Sequence, residues 1–121
     1  MNPFDKYLGP EDILGGQCAK WLFAQYPKML WWHTPNEGRR TPFERYRAEL
    51  LGIKRGVSDI LIMEARNGCN GLVIELKAGR NKCTPEQLEF LEKMKERNYS
   101  TAVVYKFEDF QQIVNDYMKQ K

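Results

Sequence analysis

Asp59, Glu75 and Lys77 are the residues whose types and spacing point most directly to chemistry. DILIMEA, residues 59–65, and GLVIELK, residues 71–77, both read as strands rich in Ile, Leu and Val. Between them, RNGCNG holds two Asn-Gly pairs, a strong short signal for a hairpin turn. Asp59 opens one strand and Glu75 lies near the end of its partner, so closing the hairpin brings the two carboxylates to one end. If the register keeps them on one face, cross-strand neighbours lie about 5 Å apart. Side chains alternate along a strand, so Lys77 shares the face of Glu75, about 7 Å further on. Leu72, Ile74 and Leu76 take the opposite, apolar face.

Oxygen ligands from two acidic side chains suit Mg²⁺ or Mn²⁺ better than zinc. Such an ion keeps waters, leaves room for a substrate phosphate and makes a nearby water more acidic. A lysine beside it can orient that water or stabilise the charged transition state. The pattern D-x15-E-x-K is short and degenerate, however. On its own it also describes a surface carboxylate–lysine pair worth about 0–1 kcal/mol.

The remaining elements must position that hairpin. Pro10-Glu11-Asp12 opens a helical pattern running to about Gln25, in which Ile13, Leu14, Cys18, Trp21 and Leu22 recur at helical spacing. Its first-turn acids suit the helix dipole, and Pro27 closes it. MLWWHT, residues 29–34, reads as a short strand and PNEGRRT, residues 35–41, as a loop. Thr41-Pro42-Phe43-Glu44 combines an N-cap, a first-turn proline and a capping box, and starts a helix that stops near Gly52. Thr84-Pro85-Glu86-Gln87 repeats that grammar for a helix to about Arg97. TAVVYK, residues 101–106, is a buried-looking strand, and an amphipathic helix covers about Phe107 to Met118. The order predicts an α/β fold, a four-stranded mixed sheet flanked by helices.

Composition narrows the class. A chain of 121 residues suits one compact domain, and 42% hydrophobic with 29% charged residues is ordinary for a globular protein. No apolar run approaches the roughly 18 residues of a membrane span, and the start, MNPFDKYLGPEDI, does not read as a secretion signal. A cytoplasmic location is the expectation. Cys18, Cys69 and Cys83 form no CxxC and, with His33 as the single histidine, match no zinc spacing. They read as buried or incidental thiols. Net charge is +3, but residues 38–55 carry Arg39, Arg40, Arg45, Arg47, Lys54 and Arg55 against Glu44 and Glu49. This basic stretch is either a phosphate footprint or a solvated helix face.

Over almost its whole length the chain resembles the VRR-NUC family of the PD-(D/E)XK nuclease superfamily, in its small stand-alone phage or bacterial form. The resemblance is carried by Glu11 in a helix ending at Gln25-Tyr26-Pro27, then by HTPNEGRR, residues 33–40. It continues through LGIKRGVSD, residues 51–59, and GLVIELK, and closes on Gln87 and the late strand. It implies a restriction-endonuclease-like core and a metal-dependent nuclease acting on structured DNA. Asp59 and Glu75 would be the main ligands of Mg²⁺ (Mn²⁺ substituting), with the Leu76 backbone carbonyl as a further one. Lys77 would be the catalytic lysine, and Glu11 would reach the metal directly or through water. The products implied are 5′-phosphate and 3′-hydroxyl ends. Small members resemble Holliday junction resolvases acting as homodimers, whereas a larger member prefers flaps. Ser58 stands where the superfamily name expects proline, a position that supplies no ligand.

Other residues carry two readings. Gln87 matches a glutamine that lines the site in this superfamily, and it is also the N3 residue of a capping box. His33 and Asn36 could touch DNA, or His33 could be a satisfied strand-end histidine. Arg39, Arg40, Lys54 and Arg55 are the phosphate-contact candidates. Trp31 and Trp32 read as core or dimer contacts rather than base-stacking platforms. A DNA-binding module that kept the fold without cutting is the rival class, and a protein-partner role is the third.

Overall fold

The computed structural model describes residues 2–35 and 41–121, and its elements follow the predicted order with one addition. They are α1 (Pro10–Gln25), β1 (Trp31–His33), α2 (Pro42–Leu51), β2 (Ile60–Ile62), β3 (Leu72–Leu76), α3 (Pro85–Glu96), β4 (Ser100–Val104) and α4 (Phe107–Lys119). The addition is a short 3-10 helix, Pro3–Tyr7, whose first turn is closed by the Asn2 side chain accepting from the Phe4 N–H. Asn-Pro at its start was the available signal. Both Thr-Pro starts form the capping boxes expected of them, at Thr41/Glu44 and Thr84/Gln87.

The sheet order is β1-β2-β3-β4, with β1, β2 and β3 antiparallel in turn and β4 parallel to β3. One face carries Ile60, Ile62, Leu72, Ile74, Leu76 and Val104, and packs on Leu14, Cys18 and Leu22 of α1 and Phe110, Val114 and Tyr117 of α4. These side chains form one continuous buried cluster. Each such aliphatic or aromatic side chain contributes about 1.5–3 kcal/mol by leaving water. Ile13, grouped by spacing with the core face of α1, points outward and is more than half exposed. The other face is covered by α3, and β3 is buried on both faces.

The hairpin contains a register step that matters for the site. Asn67 and Gly68, both at positive φ, turn the chain so that Arg66 pairs with Cys69. Extending that pairing without interruption would set Asp59 across from Leu76, on the face away from Glu75. Instead Ile62 pairs with Leu72, so the first strand has one more residue between the two pairings than the second. The extra residue is held by contacts outside the hairpin. Tyr117 donates its hydroxyl to the Glu64 carbonyl at 2.6 Å. Asn70 turns to the α3–β4 connection, its N–H donating to the Asn98 carbonyl at 2.7 Å and its side-chain amide to the Arg97 carbonyl at 2.8 Å. The resulting ladder, Ile60 opposite Ile74, places Asp59 across from Glu75.

α2 is packed differently from the others. Ala48 is its only buried residue, while Phe43, Tyr46, Leu50 and Leu51 are each more than half exposed. Among the described residues, no helix is long and apolar enough to cross a membrane.

Candidate active site

The end of β1, the start of β2 and the end of β3 meet at one end of the sheet, and a cleft of about 620 Å³ opens there. α1 borders it with Glu11 and Asp12, α3 with Gln87, and the segment after α2 with Lys54, Arg55 and Gly56. His33, Thr34, Asp59, Glu75, Leu76 and Lys77 complete the lining that concerns the chemistry. Every sequence-predicted site residue within the described region therefore lines this cleft: Glu11, His33, Lys54, Arg55, Asp59, Glu75, Leu76, Lys77 and Gln87. Asn36, Arg39 and Arg40 lie outside the described residues.

Glu75 is 2% exposed and Lys77 7%, which separates them from a surface ion pair. The Lys77 Nζ lies 3.8 Å from Glu75 Oε1. Burying two charges costs several kcal/mol per ion, and their attraction offsets this only with further hydrogen bonds. Glu75 Oε1 has one such bond, from Gln87 Nε2 at 2.9 Å. Glu75 Oε2 is buried with no partner, and so is Glu11 Oε1. A charged pair kept in an apolar strand with an acceptor left unmet is poor economy for folding alone, and such sites concentrate where chemistry is done.

Gln87 fills both of its readings at once. Its backbone N–H donates to Thr84 Oγ1 at 3.2 Å, and its Oε1 accepts from the Thr84 N–H at 2.8 Å, which is the capping box. Its remaining group, the Nε2 amide, holds Glu75. Asp59 is likewise double. Its backbone carbonyl accepts from the Thr34 N–H at 2.7 Å, and its Oδ2 accepts from the Leu76 N–H at 2.7 Å. His33 lies against α1 because residue 15 is glycine: a Cβ there would stand 3.0 Å from the imidazole Cε1.

Burial is the main force raising the Glu75 pKa, which is pushed up to about 8. The neighbouring Asp59 charge and side chain add to the rise, Lys77 opposes it, and Glu11 adds a little more. The folded state therefore holds a proton that the unfolded chain has released above the ordinary carboxylate value of 4.5. Stability from this group is full below that value and is lost as pH rises through about 8. In EDTA, the thermal midpoint should fall between pH 5 and pH 9, and Glu75→Gln should flatten that fall. Mg²⁺ should raise the midpoint most at the alkaline end, since a metal competes with the proton. Thermal unfolding followed by circular dichroism across this range checks all three outcomes.

Three residues near the cleft were given no part in the site by the sequence reading. The Thr34 hydroxyl is buried without a partner in the cleft wall; its only sequence signal was its place beside His33. Ser58, at the proline position, is fully buried and its hydroxyl is likewise unpartnered. Cys83 is half-buried; burial raises its pKa first, then the charges of Glu75 and Asp59, against Lys77.

The donor set fits a hard divalent cation. Asp59, Glu75 and Glu11 offer carboxylate oxygens, two of them buried and unpartnered. Among the described residues no three His, Cys, Asp or Glu side chains converge to hold a metal by themselves. An ion here would share its ligands with backbone, water or substrate, as Mg²⁺ does when few carboxylates bind it.

A four-stranded mixed sheet between helices, with a carboxylate cleft at one strand end, defines an α/β protein with a restriction-endonuclease-like core. Among solved structures, the chain matches a VRR_NUC domain protein with a TM-score of 0.78 and 25% sequence identity, covering 93% of this chain and 91% of that one. The fold is VRR-NUC-like. No family model matches the chain, and no curated protein does.

Proposed function

We propose that this chain is an Mg²⁺- or Mn²⁺-dependent endonuclease that hydrolyses phosphodiester bonds in branched DNA. The observation that carries the reading is the pairing of buried Glu75 and Lys77 with Asp59 across the hairpin, all on one cleft. Similarity to a VRR_NUC domain protein supports a nuclease over other uses of the fold.

Asp59 and Glu75 would hold the ion, with the Leu76 carbonyl as a further ligand and Glu11 joining directly or through water. When bound, the ion supplies positive charge to the scissile phosphate and makes a nearby water more acidic. The chain's own residues do the rest. Gln87 fixes the Glu75 carboxylate, and the Leu76 N–H fixes that of Asp59. Lys77, held in the wall by Glu75, orients the attacking water and steadies the negative charge on the phosphoryl oxygens. The water oxygen bonds to phosphorus as it gives up a proton to bulk solvent, the P–O3′ bond breaks, and the 3′ oxygen takes a proton from solvent water. The ends are a 5′-phosphate and a 3′-hydroxyl. His33, Lys54 and Arg55 contact the DNA backbone from the cleft wall; Asn36, Arg39 and Arg40, outside the described residues, are further candidates for DNA contact by residue type.

The exposed apolar face of α2 supports a homodimer, because Phe43, Tyr46, Leu50 and Leu51 have no cover within the described chain. A two-fold pair would present two clefts to opposing strands of a Holliday junction. A flap preference is the alternative substrate reading, and a non-cutting DNA-binding module is the alternative class. We also propose a cytoplasmic location, in a bacterial or phage-infected cell, where such DNA would be met.

Incubation with fluorescent junction, flap, nicked and linear DNA in Mg²⁺, beside the Asp59→Ala variant, tests the reading. Paired symmetric cuts in the junction, absent from the variant, are expected. Wild-type binding without cleavage would sink the enzyme claim. Symmetric cutting by a strict monomer would remove the dimer.

A further inference from the structure

A second groove, about 460 Å³, adjoins the cleft on the other side of Glu11 and Asp12, which line both. Gly9 and Pro10 form one wall and the turn at residues 78–81 forms the other. Lys54 and Arg55 line the main cleft but not this groove, whereas Arg80 lines the groove but not the cleft. Glu11 and Asp12 thus border both openings, one carrying Lys54 and Arg55 and the other Arg80.

The turn that presents Arg80 is built rigidly. The Asn81 N–H donates to the Ala78 carbonyl at 3.2 Å, closing a four-residue turn. Gly79 takes φ of +60°, a conformation other residues rarely adopt. At its far end, the Tyr105 hydroxyl donates to the Asn81 carbonyl at 2.9 Å. At its near end, the Lys77 N–H donates to the Val104 carbonyl at 2.9 Å. The chain is therefore tied on either side of the turn to the end of β4 and the residue after it, and Arg80 stands three residues beyond the candidate catalytic lysine. Arg80 is exposed and makes no ion pair or side-chain hydrogen bond among the described residues. Two acids, Glu11 and Asp12, line the same groove, and Asp12 is partly engaged, since its Oδ2 accepts from the Gly9 N–H at 3.1 Å. A guanidinium with no ion pair among the described residues, on a hydrogen-bonded turn over a groove that shares Glu11 and Asp12 with the cleft, can donate two N–H bonds to a pair of phosphate oxygens.

We propose that this turn is a second phosphate subsite. Arg80 takes a backbone phosphate of the bound strand on the opposite side of the scissile phosphodiester from Lys54 and Arg55. The inference rests on the nuclease reading above. A strand gripped on both sides of the cut is held against swinging its reactive phosphate away from Glu75 and Lys77.

The test uses a fluorescein-labelled four-way DNA junction in EDTA, titrated by anisotropy between about 50 and 200 mM salt. Wild type, Arg80→Ala and Arg80→Lys are compared, with wild-type cleavage in Mg²⁺ run in parallel. Arg80→Ala should weaken binding about fivefold near 0.15 M salt and flatten the log–log salt slope by about 0.9, the signature of one lost phosphate contact. Arg80→Lys should restore the slope, because the slope counts charge; a merely structural role would not be rescued this way. An unchanged slope and affinity in Arg80→Ala overturns the subsite. If wild type cuts while Arg80→Ala keeps its slope, the subsite falls alone. If wild type binds without cutting, the nuclease reading falls, and the slope change still reports whether Arg80 holds a phosphate.

Discussion

Replacing Lys77 with alanine or methionine is expected to lower cleavage by at least about 10²–10³-fold while leaving DNA binding nearly intact. Lys77 is 7% exposed and its ammonium faces Glu75 at 3.8 Å, so little of it is available to the outer phosphate track. What it offers is a fixed positive charge in a partly dry cleft, where such a charge stabilises a transition state more than it would in water. Methionine keeps the length and apolar stem of the side chain, so it separates loss of charge from loss of packing. A second route to inactivity has to be distinguished. Lys77 is the group that opposes the rise in the Glu75 pKa, and its removal lets that carboxyl hold its proton to higher pH. If this route dominates, raising the pH should recover activity in Lys77→Met. If the ammonium itself acts on the reacting atoms, the pH–rate profile should stay low throughout. Single-turnover cleavage of a labelled junction from pH 6 to pH 10, with anisotropy binding alongside, separates the two. Tight binding with full-rate cleavage at neutral pH would remove Lys77 from the chemistry.

Asp59 should give a more unusual result, because its two obvious substitutions diverge in stability while agreeing in activity. Its Oδ2 accepts the Leu76 N–H at 2.7 Å, so part of its job is to satisfy a backbone donor at the end of β3. Asp59→Asn keeps a carbonyl oxygen for that bond and removes a negative charge beside Glu75. Cleavage should fall by at least about 10³-fold, in line with loss of a metal ligand and its charge. Without metal, however, the fold should be as stable as wild type or more so, since the repulsion that raises the Glu75 pKa is relieved. Asp59→Ala also removes the acceptor and should cost about 1–3 kcal/mol for the unmet N–H. Urea unfolding of the three proteins in EDTA measures the difference. Equal destabilisation by Asn and Ala would mean that the carboxylate charge, not the hydrogen bond, holds this corner together.

Much of this site was legible before any coordinates, for a physical reason. Helix starts are local, so Thr-Pro-x-Glu at 41–44 and Thr-Pro-Glu-Gln at 84–87 announced α2 and α3 by their capping chemistry alone. Strand alternation is local too, so the pairing of Glu75 and Lys77 on one face followed from a period of two. The strands themselves came out shorter than their apolar runs suggested, because β2 pairs over Ile60–Ile62 while residues 63–65 leave the ladder. Gln87 was readable as a cap or as a residue lining the site; it caps α3 and also borders the cleft, because the oxygen of its one side-chain amide serves the cap and the NH2 reaches Glu75.

The sequence by itself determined the elements, the apolar face of β3 and the identities of the charged residues, because those depend on neighbours within a few positions. Tertiary structure decided the register of the hairpin. The Asn67-Gly68 turn alone implies a pairing that would send Asp59 and Glu75 to opposite faces. The Tyr117 hydroxyl on the Glu64 carbonyl, and the Asn70 bonds to residues 97 and 98, hold one extra residue in the first strand. They thereby bring the two carboxylates together. Those partners lie far along the chain from the hairpin they correct, and no local periodicity contains them.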